Sequence, residues 1–475
     1  MFSIVNQKDM FNMSNNDLFL RNGSKIAIIG GGPAGSFFAY FASRYAAEMG
    51  IDVSIKVFDR KSFCQRGPRG CNMCAGVISE NLFNKLEEEG INIAQYCVQR
   101  KIECYCFQTQ DDGVLLHHPV PGHTPRIVTV FRGNGPVQSP HEGNVSFDDC
   151  LLNHVKERGV EIVFEIVKEL KLPAVKGGPV KVIYGDGDAR NEIDADLVVG
   201  AFGVNTGMME KVGKMDFGYK PPGTVRTCQC EIMLSPEYIQ ETFGNNVFVF
   251  ALGKKELKFA SITPKADYVT VNLVGKTDLT RNNLIDFLNH PAVRRLMPEG
   301  WDIPESFCMC ISKIPVTYAK HPCTDRVVVL GDASISRSYK SGIESAFNMA
   351  KLSAYTAFKN GVSDGAFMNG YFKPAKRLLA RDNLYGIIML KINDYLTSQK
   401  QIANTNIKII KSGKDKETAN KINEILWNML TGNRPYKEIF YMAMNPRLVL
   451  KMLPINSFAW ARQKRDDISA WLRRN

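Results

Sequence analysis

Lys25-Ile-Ala-Ile-Ile29 runs directly into Gly30-Gly-Gly32-Pro33-Ala34-Gly35, and the reading of this stretch decides the fold. The first five residues form a short, mostly apolar run suited to a strand buried on both faces of a parallel sheet. The next six fit G-x-G-x-x-G. Ser36 to Met49, rich in Ala and Phe, reads as a helix, and Asp52 to Asp59 (DVSIKVFD) alternates as a second strand would. In such a unit Gly30 permits the tight turn and Gly32 lets backbone approach a pyrophosphate. Gly35 allows close packing of helix on strand, while the helix N-terminus offers partial positive charge. Asp59 closes the second strand, where a carboxylate can hold ribose hydroxyls. An ordinary glycine-rich turn would leave Asp59 unexplained. The stretch predicts a dinucleotide-binding βαβ unit.

Two distant segments specify the dinucleotide. Asp196-Leu-Val-Val-Gly-Ala201-Phe-Gly203 resembles the D-x4-A-x-G strand and turn of FAD proteins. Arg326-Val-Val-Val-Leu-Gly331-Asp332-Ala333 is a buried strand ending in Gly-Asp, and Ser341-Gly342-Ile343-Glu344 opens an Ala-rich helix to about Lys359. This pair resembles the second FAD fingerprint, in which the Asp binds the ribityl chain and the helix N-terminus faces the isoalloxazine. Over residues 25–360 the order is similar to the glutathione-reductase-type FAD fold, in its aromatic-hydroxylase and geranylgeranyl-reductase branch. The resemblance implies FAD held by Gly30, Gly32, Pro33, Ala34, Gly35, Asp59, Arg66, Ala201, Gly203, Gly331, Asp332, Gly342 and Ile343. No second G-x-G-x-x-G follows a strand, so no separate NAD(P) domain is expected.

Within that branch the loop Arg66-Gly-Pro-Arg69-Gly-Cys71-Asn-Met-Cys74-Ala-Gly76 resembles the C-G-G-x-I loop that geranylgeranyl reductases carry beside the flavin. Cys74 is the candidate catalytic residue; the alternative is a small apolar loop position. The family's Y-x-W-x-F-P strand has its nearest match at Phe259-Ala-Ser261-Ile-Thr263-Pro264, the implied substrate-facing residues. Ser261 and Thr263 replace the aromatics that line the isoprenoid cavity, which favours a smaller or more polar substrate, or a reshaped tunnel. Phe147-Asp148-Asp-Cys-Leu151 matches F-D-x-x-L, but Asn144 stands where the family has Arg, and the role is not carried onto the more distant Arg132. Gly300-Trp301-Asp-Ile303-Pro304 echoes a halogenase motif; it lacks one Trp, is two residues short and is set aside.

The twelve cysteines include one C-x2-C (Cys71/Cys74) and three C-x-C pairs, Cys104/Cys106, Cys228/Cys230 and Cys308/Cys310. Two-residue spacing on a strand puts both thiols on one face. The pairs are expected to form one soft apolar wall of a substrate-domain sheet. A zinc or iron–sulfur site needs four converging ligands, and the seven histidines show no H-x-x-x-H, so no metal is expected. His117-His118-Pro119 reads as an exposed loop.

With 60 basic and 48 acidic residues the net charge is +12, which favours anionic partners. No nucleic-acid motif accompanies the charge. Hydrophobic residues make up 44%, which excludes a disordered or disulfide-stapled chain. The first 24 residues show no basic start and no uninterrupted apolar core, and no stretch of 18 apolar residues follows, so a cytoplasmic protein with reduced thiols is expected. Past residue 360 the pattern becomes helical. From Arg447 onward seven basic residues, including Arg473 and Arg474, stand against two acidic ones, with Phe458 and Trp460 among them. These helices are read as a cap over the site, with peripheral membrane contact as the alternative. Lys414 to Lys421 is read as a solvated charge run.

The expected fold is α/β: a discontinuous Rossmann-like FAD-binding domain (25–103, 145–210, 319–360) after an N-terminal extension (1–24). A mixed β-sheet substrate domain (104–144, 211–318) is inserted, and a helical C-terminal region (361–475) follows. The expected function is an FAD-dependent oxidoreductase that reduces a carbon–carbon double bond of a lipid-like or isoprenoid-like substrate by hydride transfer from reduced flavin. Its electron donor is expected to be a small acidic carrier such as ferredoxin, or NAD(P)H. The alternatives are an aromatic-hydroxylase-type monooxygenase and a flavoprotein that passes electrons to a partner or quinone.

Overall fold

A computed structural model describes residues 18–174 and 177–472. Most of the N-terminal extension, and Arg473 and Arg474, lie outside them. The end of the extension is not simply polar: Leu18 and Leu20 are buried, and the Leu18 carbonyl accepts from Val362 N at 2.8 Å.

The apolar run Ser24–Ile29 forms the middle of a six-stranded sheet. Its order is Cys323–Thr324, Val327–Val329, Leu197–Gly200, Ser24–Ile29, Val53–Phe58, Glu161–Val163. Neighbours run parallel except for the hairpin of the first two. Alternation along the first strand feeds two cores. Ile26 and Ile28 face the helices Pro33–Met49 and Gly342–Lys359, where the Phe37 and Phe41 rings meet Phe347 edge-on at 5.2 and 5.4 Å. Ala27 and Ile29 face a three-stranded antiparallel layer that contributes Val180, Val182 and Ala195. A strand with both faces covered must be apolar throughout, which is what its sequence shows.

A seven-stranded sheet stands beside this unit, in the order Cys308–Pro315, Thr224–Met233, Tyr268–Gly275, Leu257–Pro264, Asn246–Phe250, Cys104–Gln108, Gly113–Leu116. One face packs Ile232, Val271 and Phe250 against the helix Arg281–Leu288. The other faces a cavity. The register corrects the expectation of a single cysteine wall. Cys228 and Cys230 lie opposite Ile311 and Met309, whereas Cys310 and Cys308 lie opposite Gln229 and Glu231. Directly paired residues share a face, so the last pair projects from the side opposite Cys228 and Cys230. Cys106 packs with the buried Cys228 and Cys230 core. Spacing fixes the face within each strand; pairing fixes it between strands.

Among the described residues five helices follow in the C-terminal part: Lys373–Ser398, Lys400–Ser412, Lys416–Thr431, Tyr436–Ala443 and Pro446–Leu472. Ile407 and Trp427 dock on Tyr105, Phe107 and Val249 at one end of the large sheet. The charge run is not merely solvated, because Asp415 caps the helix Lys416–Thr431 by accepting from Thr418 N at 3.1 Å. Among the described residues no helix is long and apolar enough to cross a membrane.

Candidate active site

The glycine turn is built by contacts that no side chain would allow. Gly30 sits at φ +106°, and a Cβ there would lie 2.5 Å from the Ala201 carbonyl oxygen; on Gly35 it would lie 1.9 Å from that of Gly30. The helix Pro33–Met49 begins with no side-chain cap and no acidic residue in its first turn. Its first N–H groups and its dipole are therefore free for an anion. Asp59 accepts from Gly31 N and Lys61 N, each at 2.8 Å. Burial raises its carboxyl, and these two amides oppose the rise.

Leu330 N donates to Gly200 O at 3.0 Å, which brings the turn at Ala201 alongside the Gly331-Asp332 turn. Gly331 is at φ +67°, and Ser341 at φ +53° opens the helix Gly342–Lys359, again with no side-chain cap. Burial raises the Asp332 carboxyl, while the Ser336 hydroxyl and the Arg132 charge lower it.

Above these turns the Cys74 loop is clamped by a buried lysine. Lys265 Nζ donates to the carbonyls of Ala75 (2.7 Å), Val130 (2.9 Å) and Gly76 (3.3 Å). Burial pulls this amine down to about 7, yet three carbonyl acceptors match the three protons of an ammonium and favour the charged form. Burial pushes the Cys71 thiol up to about 12, so it stays protonated near neutrality. Arg132, also buried, grips Asp148 through two bonds, Nε to Oδ2 at 2.7 Å and Nη2 to Oδ1 at 2.9 Å. Asn72 Nδ2 joins Asp148 at 3.0 Å and ties the loop to the same carboxylate. Burial disfavours the guanidinium charge, but Asp148 outweighs it and raises the group above its ordinary range.

These turns and the Cys74 loop border one continuous cavity of about 1890 Å³; Lys265 and Asp148 stand behind its wall. Gly30, Gly32, Pro33, Ala34, Asp59, Cys74, Ala201, Gly203, Gly331, Asp332, Gly342 and Ile343 border it, as do Phe259, Ser261 and Thr263. Three expected residues do not. Gly35 serves the helix–strand contact. The Arg66 guanidinium is turned to the carbonyls of Ser139 and His141, so it is not at the cavity wall. The Pro264 carbonyl accepts from the Thr129 hydroxyl at 3.2 Å. Arg132, onto which no role was carried from the sequence, lies beyond the loop 133–144 and meets Asp148 in space. The cavity's far end is apolar, walled by Ile407, Leu426, Met429, Leu430, Met452 and Trp460 of the C-terminal helices. This is the cap over the site that the sequence led us to expect of these helices.

A cavity for one small ligand usually measures roughly 300–1,000 Å³, so this one has room for a dinucleotide and a second molecule. The polar turns sit at one end and the apolar wall at the other.

These layers define the fold of the FAD-binding Rossmann-type flavoproteins. No family model matches the sequence, and no curated protein matches it. Solved structures do match in fold. A geranylgeranyl bacteriochlorophyll reductase-like protein from Thermoplasma acidophilum superposes with a TM-score of 0.62 at 15% identity, over 91% of this chain and 99% of that one. A flavoprotein/dehydrogenase from Cytophaga hutchinsonii gives 0.59 at 16% identity, over 93% and 100%. The p-nitrophenol 4-monooxygenase of Pseudomonas putida gives 0.59 at 15%, over 87% and 100%.

Proposed function

We propose that the chain is an FAD-dependent oxidoreductase that reduces a carbon–carbon double bond in a lipid-like substrate. The observation that carries this reading is the single cavity joining the glycine turns to an apolar tunnel. The segments 25–103, 145–210 and 319–360 would hold FAD. Its pyrophosphate would rest on the uncapped helix at Gly32, its ribose near Asp59, and its ribityl chain near Asp332. The open backbone of Gly32, whose Cβ would meet nothing closer than Asn72 Nδ2 at 3.6 Å, fits such a group. Reduced FAD supplies a hydride equivalent, and the chain's own residues do the rest.

The tunnel between the sheet (104–144, 211–318) and the C-terminal helices orients an apolar chain toward the Cys74 loop and keeps water from it. Lys265 and the Arg132–Asp148 pair hold that loop in place. Cys74 borders the cavity and would be the thiol that touches a substrate there. Ser261 and Thr263, where the resembling family has aromatics, would leave more room for the substrate beside them. The net charge of +12 suits an acidic electron carrier. The outer side of the last helix exposes Leu450 and Phe458 at 73% and 76% among Lys451, Arg462 and Lys464. That combination suits a membrane surface from which such a substrate would come.

The test is the visible spectrum of the purified protein, followed by anaerobic flavin bleaching with NADPH and with reduced ferredoxin. Flavin bands bleached by ferredoxin, with loss of a double bond from an unsaturated lipid, are expected. Rapid bleaching by NADPH with oxygenated product would replace the reading with the monooxygenase one. No flavin bands after added FAD would overturn both.

A further inference from the structure

Outside the cavity, two imidazoles and a carboxylate converge where three parts of the chain meet. Glu80 is the first residue of the helix Glu80–Glu88 and is buried. His118 and His123 come from the loop between the strands Gly113–Leu116 and Ile127–Val130. Their ligand atoms all lie within 4.8 Å of one another. His123 Nε2 is 2.7 Å from Glu80 Oε1, and His118 Nε2 is 4.0 Å from Glu80 Oε2. The two imidazole rings sit 4.1 Å apart at 34°.

Neutral imidazole is the ligand form of histidine, and a divalent cation set among the three groups would take one lone pair from each ring and one from Glu80. The surroundings suit that arrangement. His118 Nδ1 accepts from Val120 N at 3.1 Å and lies 3.3 Å from the Val120 carbonyl; with the ring turned to donate Nδ1–H to that carbonyl instead, Nε2 is free to ligate. Asn433, in the turn after the helix Lys416–Thr431, places Nδ2 at 3.3 Å from Glu80 Oε2, and its buried Oδ1 has no hydrogen-bond partner. Turning that amide over would bring the oxygen to the carboxylate, a contact that only a cation makes favourable.

We propose that Glu80, His118 and His123 bind one divalent transition-metal ion, zinc foremost, with the Asn433 amide oxygen or water as the fourth ligand. Zinc bonds of 2.0–2.1 Å set tetrahedral ligands roughly 3.4 Å apart, so the Glu80–His123 contact opens and the Glu80–His118 contact closes by less than about 1 Å. The exposed His123 is free to make that shift. The ion clamps the loop 117–126 and the start of the helix Glu80–Glu88 to the C-terminal cap. Ser79 and Thr431, neighbours of its ligands, line the main cavity, so the clamp fixes one rim of the tunnel. No spacing rule finds such a site, because its residues come from separate elements. The proposal does not depend on the flavin reading.

The experiment uses the full chain, stripped with a chelator, dialysed and titrated with Zn²⁺ alone. Expected are one Zn²⁺ per chain, only nitrogen and oxygen ligands at 2.0–2.1 Å by X-ray absorption, and a melting temperature that rises with Zn²⁺. The variant His118→Gln/His123→Gln keeps all twelve cysteines. It should lose affinity by about 100-fold or more, since even outer partners of a metal site cost 10–100-fold. It should also melt where the stripped wild type melts. Equal binding by the double variant, sulfur ligands at about 2.3 Å, or no uptake at all would each overturn the site. Single His123→Gln, at the exposed position, serves as a second variant if the double one misfolds.

Discussion

Arg132 and Asp148 show how much one residue can depend on another. Both are buried and each satisfies the other through two bonds. Asp148→Ala would leave the guanidinium buried without its counter-charge, a loss of about 3–5 kcal/mol, read as a fall in the urea midpoint. Arg132→Met/Asp148→Leu together should lose much less. Glu231 gives a pH prediction. Burial pushes its carboxyl up to about 7. Between the unfolded value near 4.5 and about 7 the native chain holds the extra proton. Its contribution to stability is therefore present at low pH and is lost as pH rises through that window. Glu231→Gln should flatten the slope of melting temperature between pH 5 and pH 7.5; an unchanged slope would remove Glu231 as its source.

At the scale of elements, the two long helices behind the parallel sheet are held by aromatic edges. Phe347 meets both Phe37 and Phe41 and is 2% exposed. Phe347→Ala should cost about 3–5 kcal/mol by thermal denaturation. This part of the molecule was legible in the sequence because every signal in it is local: apolar run, glycine spacing, Ala-rich helix, terminal acid. The cysteine wall was not, since strand register is set by partners far along the chain. The Arg132–Asp148 pair was not legible for a similar reason: fourteen residues, 133–146, separate Arg132 from Phe147-Asp148, and hydrogen-bond complementarity rather than spacing makes the pair. Arg66 misled in the opposite sense: it sits in the right loop, but carbonyls of the 133–144 insertion claim its guanidinium.

At the scale of the molecule, the C-terminal helices turn one face to the cavity and another outward. Leu450 and Phe458 border solvent and do not line the cavity. Leu450→Ser/Phe458→Ser should weaken co-sedimentation with anionic vesicles several-fold while leaving the flavin spectrum unchanged. Undiminished co-sedimentation would show that this face does not bind lipid. Composition foretold the basic, apolar character of these helices, but nothing in it distinguished the inner face from the outer one. That division follows from the docking of Ile407 and Trp427 on the large sheet.

The cavity's two ends also come from opposite ends of the chain. Every glycine turn is complete by residue 343, whereas the apolar wall comes from residues between 389 and 461. During synthesis, which proceeds from the N-terminus at roughly 5–20 residues per second, the dinucleotide end is spelled out first. For several seconds a nascent chain would carry its large sheet with one oily face bare. That interval is when a cofactor can enter from the open side, and also when the chain most needs protection from its neighbours.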